Sequence, residues 1–133
     1  MIEAKDLRIG DLVRYEENTC RIIGMMRKVS GNYYLYIETL DDIANWEVNP
    51  RDIAPIPLTP EILEKNEWRN RKEFGEYWFI PRNEDYELLA LDKIEDEYSI
   101  YIEENCTNFD DIRYVHQLQH LLWALGLNVD IKI

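Results

Sequence analysis

The sequence predicts an α+β fold, in which short antiparallel strands are combined with two helices. Its first half consists of short β-branched and aromatic segments separated by turn residues, and its second half combines helix-start signals with further alternating segments. The 133 residues are 46% hydrophobic and 12% aromatic, which is enough apolar material to build a core. The sequence therefore predicts a folded protein of one domain, or of two small ones packed together.

Five short strands are predicted in the first half, at residues 11–17, 20–28, 33–39, 46–48 and 53–56. The connecting turns are predicted at Asn18-Thr19, at Ser30-Gly31-Asn32 and at residues 49–52, the last as a turn or a single 3₁₀ turn. Gly24 interrupts the second segment and predicts a bulge or a sharp coil there.

The spacing of these strands, with Gly10-Asp11-Leu12-Val13 at their start, resembles that of SH3-like barrels, including the KOW type. The resemblance covers residues ~7–57 and implies an SH3-like β-barrel domain over residues 1–58. Such barrels serve nucleic-acid binding, peptide binding and purely structural roles, so the fold alone selects no function.

Residues 59–133 are predicted to form an α+β subdomain that begins with a helix. Thr59 suits the N-cap, Pro60 suits the first helical position, and Glu61 suits the positive end of the helix dipole. The helix is expected to run to about Trp68, and residues 70–75 are expected to form a polar turn.

A small three-stranded antiparallel sheet and a second helix complete this subdomain. The strands are predicted at residues 76–81, 86–92 and 97–103, followed by a loop at 105–111. The last helix is expected over 112–125, capped by Asp110 or Asp111 and ended by Gly126. Residues 128–133 alternate and predict a final strand.

The net charge of −12 is unevenly distributed along the chain. Residues 1–58 carry −3 and residues 59–133 carry −9, and eleven acids face one base between Glu84 and Asp111. A surface of this kind repels phosphate backbones and anionic membranes, and it can meet a basic partner. The simplest interpretation is a well-solvated acidic face.

No standard catalytic or targeting signature is present in the sequence. Cys20 and Cys106 lack CxxC spacing, and no glycine cluster matches a phosphate-binding loop. The N-terminus lacks an apolar signal core, and no apolar run approaches the ~20 residues of a membrane span. We therefore predict a cytoplasmic protein that has reduced thiols, does not associate with a membrane, and holds no metal or cofactor.

The last helix carries the most chemically capable residues. Its apolar stripe comprises Tyr114, Val115, Leu118, Leu121, Leu122 and Leu125. His116 and His120 share another face at the i, i+4 spacing of zinc-binding helices. However, Gln117 stands where the H-E-x-x-H motif has its general base, and no third ligand is evident. Two histidines at the surface or its boundary are therefore favoured over a metal site.

Trp123 lies well away from the centre of that stripe, at the edge of the face that carries His116, Gln119 and His120. Two interpretations remain: Trp123 packs under the N-terminal barrel, which is favoured, or it contacts a partner. The candidate partner surface is this face of four residues, and secondarily the aromatic segment 33–36, represented by Tyr34 and Tyr36.

Three motifs also resemble a family of small hypothetical proteins from gut anaerobic bacteria and their phages or mobile elements. They are residues 6–13 (DLRIGDLV), 56–63 (IPLTPEIL) and 114–119 (YVHQLQ), and the last is the most specific. The chain departs from the family pattern at Asp11 and His120, where the family often has Asn. The resemblance implies a biological setting and no assigned activity.

These observations together favour a non-catalytic interaction protein, associated with a phage or mobile element. One alternative is a nucleic-acid-binding protein that uses the SH3-like barrel. Another is a metal-dependent enzyme built on His116 and His120.

Overall fold

The structure, a computed structural model, describes residues 6–41, 44–71, 78–81, 89–102, 105–107, 109–127 and 130–133. It confirms a small α+β fold that is mostly antiparallel sheet, with two α-helices in the described residues. The chain divides into two compact units: Met1–Ile56 with Tyr114–His120, and Pro57–Arg113 with Leu121–Ile133.

The first unit is built on a five-stranded antiparallel sheet of order β4-β3-β2-β1-β5. Its strands are β1 (Leu12–Tyr15), β2 (Asn18–Arg27), β3 (Tyr33–Thr39), β4 (Asn45–Val48) and β5 (Ile53–Ala54). A 3₁₀ helix, Pro50–Asp52, precedes β5, and the Asn49 side chain caps it by accepting the Arg51 N–H. The core comprises Leu7, Val13, Cys20, Ile22, Leu35, Ile37, Val48 and Ile53.

The bulge predicted at Gly24 is confirmed. Ile22 pairs with Ile37 and Gly24 pairs with Tyr36, so β2 contains one extra residue, Ile23, at this point. A Cβ at position 24 would lie 3.4 Å from Cδ2 of Tyr36, so glycine lets the tyrosine lie against the neighbouring strand.

The first hairpin turn lies two residues earlier than predicted. Tyr15 pairs with Asn18, and the loop is therefore Glu16–Glu17, with Glu16 at a φ of +54°. This register places Val13 opposite Cys20 with both side chains fully buried. A slip by one residue would turn Cys20 to solvent, so burial decides against the turn signal of Asn18-Thr19.

The second unit contains a sheet of order β10-β9-β8-β7-β6, with every neighbouring pair antiparallel. Its strands are β6 (Trp68–Asn70), β7 (Trp78–Pro81), β8 (Leu89–Ile94), β9 (Glu97–Ile102) and β10 (Asn105–Cys106). Strands β6 and β10 are additional to the three predicted strands: β6 begins at Trp68, the predicted end of the helix, and includes Asn70 of the expected turn, and β10 takes the first two residues of the expected loop. Residues 72–77, 82–88, 103–104 and 108 of those predictions lie outside the described residues.

Helix α1 (Pro60–Lys65) begins as predicted, with Thr59 Oγ1 accepting the Ile62 N–H at 3.3 Å. It ends three residues before the predicted end at Trp68. Glu67 has a φ of +68°, which redirects the chain and allows Trp68 to enter β6 with its side chain buried. The predicted helix end was wrong because burial of this tryptophan in the sheet outweighs local helix propensity.

Helix α2 (Val115–Ala124) is shorter at its start than predicted. Ile112 exchanges both backbone hydrogen bonds with Tyr98 of β9, so residue 112 is extended and neither Asp110 nor Asp111 is the cap. The start is instead closed by Gln117, whose Oε1 accepts the Tyr114 N–H at 3.1 Å.

The C-terminal end of α2 is as predicted. Gly126 has a φ of +78°, the Leu127 N–H donates to the Leu122 carbonyl, and the Gly126 N–H donates to that of Trp123. This is the Schellman arrangement.

The predicted final strand is absent from residues 130–133, and residues 128–129 lie outside the described part. The tail is held instead by Asn66, whose side-chain amide donates to the Lys132 carbonyl and accepts the Lys132 N–H, both at 2.7 Å.

Candidate functional site

The chemically notable feature of the first unit is a buried carboxylate at the start of β1. Asp11 is 0% exposed, and it follows a turn in which its N–H donates to the Arg8 carbonyl at 3.1 Å. Gly10 occupies the third turn position with a φ of +98°, which is typical of a type II turn. The Arg8 N–H donates back to Asp11 Oδ2 at 2.8 Å, so the turn itself satisfies part of the carboxylate.

His120 of α2 provides the second partner of this carboxylate. Its Nε2 lies 2.8 Å from Oδ1 and 2.9 Å from Oδ2 of Asp11. Both contacts are within hydrogen-bond distance, and they fit the tautomer in which Nε2 carries the hydrogen and donates to the carboxylate. The His120 side chain retains 20% exposure, whereas Asp11 has none.

Gln119 clamps the backbone on either side of Asp11. Its Oε1 accepts the Leu12 N–H at 2.9 Å, and its Nε2 donates to the Gly10 carbonyl at 3.0 Å. These two groups point away from β2, because the Asp11 backbone uses the opposite edge to accept the Ile22 N–H. Strand β5 pairs with β1 at Arg14 and Tyr15, beyond this point, so the glutamine amide replaces a strand partner there.

His116 is the fourth polar side chain of the group, and it is 4% exposed. Its ring stacks on Tyr114 at 5.9 Å between centroids and meets His120 edge-on at 5.7 Å. Nδ1 of His116 has no hydrogen-bond partner among the described residues. Burial lowers the pKa of His116, His120 acts in the same direction, and the carboxylates of Asp11 and Asp6 oppose the effect.

We call Asp11, His116, Gln119 and His120 the polar cluster. Its hydrogen bonds connect the first turns of α2 to the start of β1, and Asp11 has no solvent access for a substrate. Within the described residues, no group of three or more His, Cys, Asp or Glu side chains is placed to hold a metal ion. The arrangement holds the helix on the sheet.

A different kind of surface lies on the β2–β3 hairpin. Because Leu35 and Ile37 point into the core, the alternating positions Tyr34 and Tyr36 lie on the opposite face of β3, and both are half-buried. Met26 pairs with Tyr34 across the hairpin and is 46% exposed. Lys28 Nζ lies 3.8 Å from the centre of the Tyr34 ring.

The turn of the same hairpin adds further apolar surface, because Val29 is fully exposed. We call Met26, Lys28, Val29 and Tyr34 the hairpin surface. Arg27 and Tyr33 pair with each other at the next position of the hairpin, so they lie on the opposite face, where Arg27 lies 5.9 Å from the centre of the Tyr33 ring.

The six candidate binding residues therefore fall into separate groups. His116 and Gln119 are buried, so the expectation of a surface or boundary position was wrong for His116. The His120 side chain is partly exposed and contacts Asp11. Trp123 belongs to the second unit and is partly buried. Tyr34 and Tyr36 lie together on the outward side of β3. Partner binding by any of these residues stays a prediction.

Comparison with known proteins adds no relative. The chain matches no family model, no curated protein and no solved structure. The resemblance of its three motifs to a bacterial family therefore stays a prediction. In the described residues, no helix combines the length and apolar character needed to cross a membrane.

Proposed function

We propose that this protein is a non-catalytic interaction protein whose first unit is an SH3-like barrel and whose binding site is the hairpin surface. The observation that carries the proposal is the chemistry of the β2–β3 hairpin. There, the exposed side chains of Met26 and Val29 lie close to Tyr34 and to the Lys28 ammonium that covers its ring, in a chain that is otherwise strongly acidic.

The connectivity of the first unit supports the SH3-like part of the proposal. Strands β1 to β4 follow one another as a meander, a 3₁₀ turn follows β4, and β5 returns to pair with β1. The extra residue in β2 gives that strand the bend that a small curled sheet needs.

The polar cluster supports the non-catalytic part. A catalytic acid or base must reach a substrate proton, directly or through one water. Asp11 is fully buried, and both polar atoms of the Gln119 amide are hydrogen-bonded to the backbone at the start of β1. We therefore assign these contacts to stabilising the fold and not to catalysis.

Affinity capture tests the proposal, with the tagged protein and lysate of the organism that encodes it. The informative variant is Tyr34→Ala, and the matched control is Tyr101→Ala, the same change on β9 of the second unit. A partner recovered by the wild type and the control, but lost with Tyr34→Ala, is the expected result.

Identical recovery by Tyr34→Ala and the wild type would overturn the choice of the hairpin surface. A Trp123→Ala variant belongs in the same experiment, because Trp123 is the alternative from the sequence. Loss with Trp123→Ala alone would move the binding site to α2.

A second candidate function is nucleic-acid binding through the barrel. It is favoured by one observation, since residues 18–37 contain three bases, Arg21, Arg27 and Lys28, and no acid. The charge of the whole chain predicts that such binding is weak and disappears as salt is raised. Tight, salt-tolerant retention of oligonucleotides in a filter-binding assay would promote this candidate to first place.

The resemblance to proteins of gut anaerobes and their mobile elements supplies the proposed biological setting. It rests on the three motifs alone.

A further inference from the structure

We infer that the end of α1 is a recognition site for an extended polypeptide segment that carries an isoleucine-like side chain, and that residues 130–133 occupy this site in cis. The inference is carried by the juxtaposition of the Asn66 amide with the backbone of Lys132 and the buried side chain of Ile131. All of these residues belong to the second unit, so the inference goes beyond the proposed function and is independent of the hairpin surface.

The first argument is the way in which Asn66 contacts the tail. Its Nδ2 donates to the Lys132 carbonyl and its Oδ1 accepts the Lys132 N–H, both at 2.7 Å. The N–H and the carbonyl of one residue face the same side where a chain is extended, as in a β-strand. The amide therefore acts as a strand partner for one residue. Because it contacts only the backbone, it accepts any residue except proline at this position.

The second argument is the burial pattern along the tail. Asp130 and Lys132 are exposed, whereas Ile131 between them is only 8% exposed. Alternation of this kind is expected where an extended segment lays one face on a protein surface. In recognition by strand addition, backbone hydrogen bonds provide affinity and the site of the buried side chain provides specificity. The position of Ile131 therefore selects an isoleucine-like side chain, and its two exposed neighbours contribute little selectivity.

The third argument is that α1, and not the tail, fixes the geometry of the site. Asn66 follows the last turn of α1, and its backbone N–H donates to the carbonyls of Ile62 and Leu63. The Nδ2 group that contacts Lys132 also donates to the Ile62 carbonyl at 2.8 Å. This bond to the helix orients the side-chain amide whether or not the tail is present, so the site is preformed for an incoming segment.

The fourth argument is that few contacts hold the tail. Besides the two bonds to Asn66 and the burial of Ile131, residues 130–133 make one further hydrogen bond within the described part of the chain, from Lys65 Nζ to the main-chain oxygen of Ile133. All three hydrogen bonds are exposed to water, which competes for the same donors and acceptors. Segments held in this way open locally while the rest of a domain stays folded. The tail is therefore a strap that detaches and leaves the site to a competing segment.

The test measures the binding of a synthetic peptide with the sequence of residues 127–133, blocked at both ends, to full-length protein that carries Ile131→Asp. The charged side chain opposes burial of the tail, whereas the site at the end of α1 is unchanged. The matched control protein is Ile94→Asp, the same change at an exposed position of the second unit. Isotope labelling follows binding through the side-chain amide signals of Asn66, and thermal unfolding verifies that both variants remain folded.

Three altered peptides test the two contacts separately. Methylation of the Lys132 nitrogen removes the hydrogen that Asn66 Oδ1 accepts. Methylation of the Ile131 nitrogen is the matched control, because the adjacent amide of an extended chain points to the opposite edge. The third peptide carries Ile131→Ala and lacks most of the buried side chain.

We expect the unaltered peptide to bind the Ile131→Asp protein saturably. It should bind the wild type and Ile94→Asp at least about tenfold more weakly, because their own straps compete at a high effective concentration. The peptide methylated at Lys132 and the Ile131→Ala peptide should each lose at least about fivefold in affinity, and methylation at Ile131 should change it less than about twofold.

Absence of saturable binding by the folded Ile131→Asp protein would overturn the inference. Equal effects of the two methylations, or equal binding by the wild type, would also contradict it.

Hydrogen exchange of the unaltered protein keeps the inference testable if the Ile131→Asp protein unfolds. After correction for intrinsic rates, the Lys132 N–H should exchange at least about a hundredfold faster than the Tyr98 N–H, which bonds to the Ile112 carbonyl in the same unit. Similar protection of the two amides would mean that the tail opens only when the whole unit opens, and the inference would be wrong.

Discussion

Replacing Gln119 by leucine removes the clamp between α2 and the start of β1. Leucine fills much of the same buried volume, but it cannot accept the Leu12 N–H or donate to the Gly10 carbonyl. The perturbation therefore isolates two hydrogen bonds that replace a strand partner.

The expected loss of stability follows from the burial of the two backbone groups. Leu12 is 1% exposed, so its unpaired N–H finds no water, at a cost of about 1–3 kcal/mol. Gly10 is half-buried, so its carbonyl rehydrates and only the net value of one hydrogen bond, about 1 kcal/mol, is lost. Together these terms predict that Gln119→Leu lowers the free energy of unfolding by about 2–4 kcal/mol.

Urea unfolding followed by tryptophan fluorescence measures this difference. The control is Gln117→Leu, the same chemical change two residues away, which removes the bond from the Tyr114 N–H and is expected to cost about 1 kcal/mol. Equal losses in the two variants would refute the reasoning, as would a loss below about 1 kcal/mol for Gln119→Leu.

Three further predictions follow from single residues. Burial lowers the pKa of His116, so as the pH falls the unfolded chain binds a proton at a higher pH than the folded chain does. The free energy of unfolding is therefore unaffected above about pH 6.5 and falls below that pH by up to about 1.4 kcal/mol per pH unit. Urea titrations from about pH 7.5 to about pH 5.5 should show a shallower decline in His116→Leu, and identical slopes would contradict the cause. Burial raises the pKa of the Cys20 thiol, so mass spectrometry after brief alkylation of the native protein should find it unmodified, and rapid modification would refute its enclosure. Gly126→Ala should cost about 1–2 kcal/mol in thermal unfolding because its φ is +78°, Gly126→Asn should recover part of this, and equal losses would point to a different cause.

Local patterns were sufficient where burial and propensity agree. The segment 33–39 was predicted as a strand and is β3 with the same bounds, because Leu35 and Ile37 alternate inward between aromatic residues. Thr59, Pro60 and Gly126 mark helix ends by backbone chemistry that needs no distant partner.

Local patterns failed where a distant strand decides the conformation. The prediction extended α1 too far at its end and α2 too far at its start. Trp68 joins a strand pair with Pro81, and Ile112 exchanges hydrogen bonds with Tyr98. Neither contact can be inferred from the residues around these positions.

The polar cluster was only half visible in the sequence. The helical spacing grouped His116, Gln119 and His120, but nothing local indicates that a glutamine amide replaces a strand partner for Gly10 and Leu12.

The central claim is that the hairpin surface meets the partner while the polar cluster maintains the fold. The most direct test is the backbone amide shifts of isotope-labelled protein during titration with the partner that affinity capture recovers. We predict that the shifted amides cluster at residues 26–34, with those of 116–120 unchanged. Shifts centred on His116, His120 and Trp123, with the hairpin unaffected, would contradict it.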